Sequence, residues 1–247
     1  MNTINIFCLP FAGGSRYSYN GYRQYARHVN IIPVEPPGRG SRFAEPLLDN
    51  IYDMVDDVYE QIKNNLFRPY AIYGHSMGAM LGFLLTRRIL QEGLPEPLQL
   101  FLTGRAAPST PKKEAPLHRL PKEEFFDALK ALGGCPEELL SNDELKEFFE
   151  PIIRADLQVV DSYSHEPSIP FDIPVTVMIG MDEDISFEEA LAWQKETNVL
   201  VSVRKFTGDH FFIYDHEREI VNMMSSLTAQ KLKTASYGSV AQHTEVV

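Results

Sequence analysis

Gly74-His75-Ser76-Met77-Gly78 carries the first chemical signal in this 247-residue chain. It fits G-x-S-x-G, and its surroundings give the pattern meaning: Tyr70-Ala71-Ile72-Tyr73 reads as a strand and Ala79 to Leu90 as a helix. A sharp strand-to-helix turn strains the serine backbone and presents its hydroxyl at a helix N-terminus. Glycines flank it because side chains there would collide with neighbouring elements. Ser76 is therefore the candidate nucleophile. The Met77 N–H points the same way and is a candidate donor to a developing oxyanion.

A serine hydroxyl is a poor nucleophile until a base takes its proton. At such a turn the acid follows the serine in the chain and the histidine comes last. His210, in Gly208-Asp209-His210-Phe211-Phe212, lies just past the last expected strand and is the candidate base. His165, in a helical insertion, and His216, in the following helix, compete with it. For the acid, Gly180-Met181-Asp182-Glu183-Asp184-Ile185-Ser186 offers three carboxylates after the penultimate strand. Asp182 is preferred, because a D-x-x-V/I-S pattern at a strand end suits a carboxylate turned toward the histidine loop; Glu183 and Asp184 remain open. A second oxyanion donor is expected from Leu9-Pro10-Phe11-Ala12-Gly13-Gly14, with the Ala12 N–H first and the Phe11 N–H next.

These residues need a scaffold that gathers strand ends. Strands are expected at Ile4–Leu9, Ile31–Val34, Tyr70–Tyr73, Leu98–Thr103, Val175–Ile179 and Val201–Phe206. Helical patterns fall between them around Tyr19–His28, Ile51–Leu66 and Ala79–Leu90, the second with Ile51, Met54, Val55, Val58, Ile62 and Leu66 on one face. Alternating strands and helices imply an α/β fold, a mostly parallel sheet with helices on both faces. Between Gly104 and about Pro170 no strand is expected. Helical runs near Lys122–Leu132, Asp143–Phe149 and Ile152–Tyr163 fill a stretch of about 65 residues, too long for a simple crossover. The expected division is a core of 1–104 and 171–234, a helical lid insertion of 105–170, and a frayed tail of 235–247. Phe125, Phe126, Leu129 and Leu132 have helical spacing, and most of them are expected to pack as ordinary core, the alternative being the wall of a chamber formed by the lid helices.

Composition narrows the class. Hydrophobic residues at 44% and charged residues at 23% suit a soluble globular chain. No apolar run approaches the roughly 20 residues of a membrane helix, and Met1-Asn2-Thr3-Ile4-Asn5-Ile6 lacks a signal peptide's regions, so a cytoplasmic protein is expected. A net charge of −11 argues against nonspecific binding to nucleic acid or anionic membranes. Cys8 and Cys135 have no CxxC spacing, and Cys8 is expected to be a buried thiol. The seven histidines show no metal-ligand grouping, so no metal is expected.

Taken together, the chain resembles the type II thioesterases that accompany nonribosomal peptide and polyketide synthases, from about Ile4 to Leu227. Seven ordered motifs carry the resemblance: Pro10-Phe11-Ala12-Gly13-Gly14-Ser15, Pro37-Gly38-Arg39-Gly40-Ser41-Arg42, Gly74-His75-Ser76-Met77-Gly78-Ala79, Gly104-Arg105-Ala106-Ala107-Pro108, Leu132-Gly133-Gly134, Pro151-Ile152-Ile153-Arg154-Ala155-Asp156, and Trp193 with Gly208-Asp209-His210-Phe211-Phe212. Asp209 stands where the family usually has a second glycine. The family's acid commonly stands three residues after a glycine; that count from Gly180 reaches Glu183, whereas counting back from Ile185-Ser186 reaches Asp182.

The resemblance implies an α/β-hydrolase fold and hydrolysis of acyl thioesters held on the phosphopantetheine arm of a carrier protein, by a Ser-His-Asp triad and an acyl-enzyme. It implies acyl or peptidyl carrier domains as partners. No cofactor beyond that arm is expected, and a monomer is expected, although the sequence itself does not carry the oligomeric state. Arg16, Arg39, Arg42, Lys112, Lys113 and Arg119 are candidates to meet the arm's phosphate or an acidic carrier surface. Two alternatives stand beside this reading: an esterase, lipase or acyltransferase of the same fold, and a noncatalytic carrier-binding module.

Overall fold

The computed structural model describes residues 3–111, 116–133 and 137–241, with side chains described to residue 234. Lys112, Lys113, Gly134 and Cys135 lie outside the described residues.

Six strands, β1 (Ile4–Leu9), β2 (Val29–Pro33), β3 (Tyr70–His75), β4 (Leu100–Thr103), β5 (Val175–Gly180) and β6 (Ser202–Phe206), form one sheet in the order β2-β1-β3-β4-β5-β6. Every neighbouring pair is parallel. All six carboxyl ends therefore meet at one edge, where ligand sites of such sheets lie. The helices are α1 (Ile51–Ile62), α2 (Met77–Gln91), α3 (Lys122–Ala131), α4 (Glu137–Leu140), α5 (Asp143–Asp161), α6 (Phe187–Leu191), α7 (Phe212–Asp215) and α8 (Glu217–Ala241).

The strand period of two sends alternate residues into two cores. Phe7, Leu9, Tyr70 and Ile72 pack on one face with Met54, Val55 and Val58 of α1 and Met80, Leu81 and Phe83 of α2. Ile6, Cys8, Ala71 and Tyr73 pack on the other with Ile220, Val221 and Met224 of α8. Each large apolar side chain so buried is worth about 1.5–3 kcal/mol relative to exposure. Helix α1 starts where Asn50 accepts from the Tyr52 N–H, and its buried face is the one its periodicity marks. Cys8 is buried as expected, and burial pushes its thiol pKa up, away from reactivity.

Three elements differ from their sequence patterns. The stretch Tyr19–His28 is not an α-helix but two 3-10 turns, Arg16–Tyr19 and Gly21–Tyr25. Tyr19 ends the first turn and Tyr22 lies in the second, and both are fully buried against Tyr73, so tertiary packing of the two rings sets this stretch. Helix α5 runs unbroken through Pro151, where two helices were expected. Pro151 sits on the exposed side, while Ile152, Ile153, Asp156, Val159 and Val160 are buried, so packing outweighs the one backbone bond that proline removes. Helix α8 continues to Ala241, into the stretch expected to fray, and 242–247 lie outside the described residues. No described strand lies between β4 and β5. There Phe125, Phe126 and Leu129 of α3 pack with Leu139 and Ile153 in a separate small core, whereas Leu132 is 37% exposed.

Candidate active site

Ser76 is the only non-glycine residue with positive φ among the described residues, at φ 54° and ψ −110°. Such a backbone costs about 1–3 kcal/mol and persists only where the surroundings impose it. Its N–H donates to the Thr103 carbonyl at 2.8 Å, which fixes the turn against β4. A Cβ on Gly74 would strike the backbone of Gly78 and Ala79, and one on Gly78 would strike the Leu9 carbonyl. The two glycines thus let β3, α2 and the end of β1 close on one another. The Met77 amide belongs to the first residue of α2, one of the helix N–H groups with no intrahelical acceptor.

The loop after β1 supplies the facing wall. Phe11 to Gly14 forms a turn closed by the Gly14 N–H on the Phe11 carbonyl at 2.9 Å, with Gly13 at φ 79°. The Gly13 N–H donates to Asp156 Oδ2 at 2.7 Å. Gly13 and Gly14 are thereby removed as oxyanion donors, and Ala12 stays the first candidate, with Phe11 next.

The last two strands bring together the candidate base and a carboxylate. His210 Nδ1 hydrogen-bonds Glu183 Oε2 at 2.8 Å, and Glu183 Oε1 accepts from the Gly180 N–H at 2.8 Å. The Glu183 side chain is 4% exposed. This corrects the expected acid: the carboxylate on His210 is Glu183, not Asp182. The Met181 N–H donates to the Phe206 carbonyl at 2.8 Å and the Asp182 N–H to the Gly208 carbonyl at 3.0 Å, so the two loops are knit through backbone. That path leaves Asp182 exposed at the surface. Glu183, one residue on and one methylene longer, folds back beneath the imidazole. Asp184 is exposed as well. The competing histidines lie elsewhere: His165 meets Tyr163 Oη at 3.3 Å, and His216 meets Thr207.

His75 was not singled out beyond its place in the motif, yet its ring lies 4.7 Å from that of His210, centroid to centroid. Its Nδ1 meets Thr103 Oγ1 at 3.0 Å, and that hydroxyl also donates to the Gly74 carbonyl at 3.1 Å. With its proton directed to that carbonyl, the hydroxyl can accept from His75 Nδ1–H. The His75 Nε2 is buried without a partner. Burial first, and His210 second, hold the His75 pKa well below its ordinary value of 6.5. Below pH 6.5 the unfolded chain thus carries one more proton than the folded one, and stability falls as pH falls. The contribution should approach about 1.4 kcal/mol per pH unit. Urea unfolding of wild type and His75→Gln from pH 7 to 5 should show a shallower decline in the variant; parallel declines would contradict this.

Among the basic candidates, two are already engaged. Arg39 forks onto Asp156, and Arg42 pairs with Glu45 and, at 2.6 Å, with Asp57. Arg119 Nε donates to His118 Nε2 at 3.3 Å. The Arg16 guanidinium lies 5.9 Å from the Tyr17 ring. Trp193 is a core residue, its Nε1–H donating to the Arg105 carbonyl at 3.0 Å. Among the described residues no group of three or more His, Cys, Asp or Glu could hold a metal ion, and no helix is long and apolar enough to cross a membrane.

A family model described as a thioesterase domain matches residues 4–228. Gramicidin S biosynthesis protein GrsT of Aneurinibacillus migulanus is 34% identical over 223 residues, covering 90% of this chain and 87% of its own. The crystal structure of ClbQ from the colibactin NRPS/PKS pathway superposes with a TM-score of 0.88 at 31% identity, covering 94% of this chain and 99% of that one. YbtT, a type II thioesterase from the yersiniabactin NRPS/PKS biosynthetic pathway, superposes with a TM-score of 0.82 at 27% identity, covering 93% and 94%. The parallel sheet, the strained serine and these matches define one class, an α/β-hydrolase-fold enzyme that hydrolyses thioesters. The chain belongs to the thioesterase family, and its type II relatives serve peptide and polyketide assembly lines.

Proposed function

We propose that this enzyme clears acyl or aminoacyl groups from the phosphopantetheine arms of carrier proteins, releasing stalled or misprimed assembly lines. The observation that carries the reading is His210, oriented by Glu183 at 2.8 Å beside the strained Ser76 turn. The substrate class rests on the likeness to GrsT, ClbQ and YbtT.

In this reading Glu183 accepts from Nδ1–H and leaves His210 Nε2 as the base. Nε2 takes the Ser76 proton as Oγ bonds to the thioester carbonyl carbon. The Met77 and Ala12 amides hold the oxyanion, each worth about 3–4 kcal/mol at comparable sites. The C–S bond breaks, and the proton passes from His210 to the departing thiolate. A water then gives a proton to His210 Nε2 as its oxygen bonds to the acyl carbon; the ester C–Oγ bond breaks, Nε2 returns the proton to Ser76 Oγ, and the carboxylic acid leaves. The proposed steps use this chain's side chains and amides together with one water.

The test is to incubate acetyl- and aminoacyl-carrier protein with the enzyme and follow the carrier by intact mass, with p-nitrophenyl acetate in parallel. The reading expects loss of the acyl mass and a kcat/KM on carrier well above that on the oxygen ester. An oxygen ester hydrolysed while acyl-carrier stays intact would favour an esterase. Carrier binding with no hydrolysis of either would favour a binding module.

A further inference from the structure

The geometry points to Arg39 and Asp156 as a pair of positioning residues that set the oxyanion turn from outside it. The inference rests on the thioester-hydrolase reading and concerns residues that make no part of the Ser76–His210–Glu183 constellation.

Arg39 and Asp156 are 117 positions apart and both are removed from solvent, their side chains 5% and 0% exposed. Arg39 Nη2 donates to Asp156 Oδ1 at 2.7 Å, Nη1 donates to Oδ2, and Nε donates to the Pro37 carbonyl at 3.3 Å. A planar fork on a carboxylate is the geometry that arginine supplies and lysine does not. The pair then grips the turn at two points. Asp156 Oδ2 takes the Gly13 N–H at 2.7 Å, and Arg39 Nη1 gives to the Gly14 carbonyl at 3.1 Å. One residue before that grip stands Ala12, the candidate oxyanion donor.

The arrangement also ties the turn to α5. Ile153 and Asp156 share a face of that helix at i, i+3, and a Cβ on Gly13 would come within 2.8 Å of Ile153 Cγ1. The turn lies directly on the helix, with its amide and carbonyl directions held by one ion pair. A buried ion pair is weak evidence for stability, since apolar residues of similar volume often serve as well. An oxyanion donor, by contrast, depends on placement, and about 1 Å of error can cost about 100-fold in rate. Positioning is thus a better account of this pair than stability.

The test compares wild type with Asp156→Asn and with the double variant Arg39→Met/Asp156→Leu. The double variant leaves no buried unpaired charge and decides the matter if the single one does not fold, as read from Tm. Active sites are counted with a fluorophosphonate, so that misfolded molecules do not lower the measured rate. Steady-state kinetics on acyl-carrier are paired with inhibition by a trifluoromethyl ketone, which forms an oxyanion on the serine. Expected is a fall of about 10- to 100-fold in kcat per titrated site with KM within about threefold, and a matching rise in the ketone's Ki. A kcat per site within about twofold of wild type, or a rise in KM alone, would overturn the inference. If wild type hydrolyses no acyl-carrier, the thioester reading fails. The ketone's Ki, compared between wild type and variants, then still decides the role of the pair.

Discussion

Replacing Ser76 with alanine should lower hydrolysis of an acyl thioester by about a millionfold, the scale of removing a triad nucleophile. The fold should survive, because the turn's conformation is imposed by its surroundings. The Ser76 N–H remains on the Thr103 carbonyl, and Gly74 and Gly78 still admit the neighbouring backbone. Alanine at φ 54° keeps the strain that serine already bears and loses only the hydroxyl. Intact-mass assay of acyl-carrier with the variant should show the acyl group retained over hours, with an unchanged Tm. Hydrolysis within about tenfold of wild type would mean that another group attacks the carbonyl.

Glu183→Gln should lower kcat by about 10,000-fold, while Asp182→Asn should stay within about twofold. Glu183 is nearly buried and bonds His210 Nδ1 at 2.8 Å, so it selects the tautomer that leaves Nε2 free to accept a proton. An amide at that position can present its NH₂ to Nδ1 and favour the wrong tautomer, and it provides no charge against an imidazolium. Asp182 contributes its backbone N–H to the Gly208 carbonyl, which a side-chain change leaves in place. The decisive comparison is kcat for the two variants on one acyl-carrier. A large loss in Asp182→Asn with a small one in Glu183→Gln would return the acid to the position first preferred from the motif.

That misplacement shows where legibility ended. The positions of Ser76 and His210 were legible because their constraints are local: a glycine-bracketed turn after a strand, and a loop after the last strand. The choice among Asp182, Glu183 and Asp184 depends on how the β5 loop runs beside the β6 loop. The backbone bonds to Phe206 and Gly208 that set its course are invisible to spacing. Strand β2 began at Val29, not Ile31, because pairing with Ile4 of β1 extends it. Arg39 read as a free cation since nothing near it in sequence is its partner. Burial and Asp156 decide its role from 117 positions away. Helix α5 was read as two because proline is a strong local signal, and the buried face that overrides it is set by tertiary packing.

The central claim is that Ser76 is acylated by a thioester. It is tested most directly by mixing enzyme with excess acyl-carrier, quenching in acid within milliseconds, and mapping the modified peptide by mass. The account predicts the acyl mass on the peptide containing Ser76, formed as fast as thiol is released, and absent in Ser76→Ala. Thiol release at the full rate with no acyl group on that peptide at any time would contradict it.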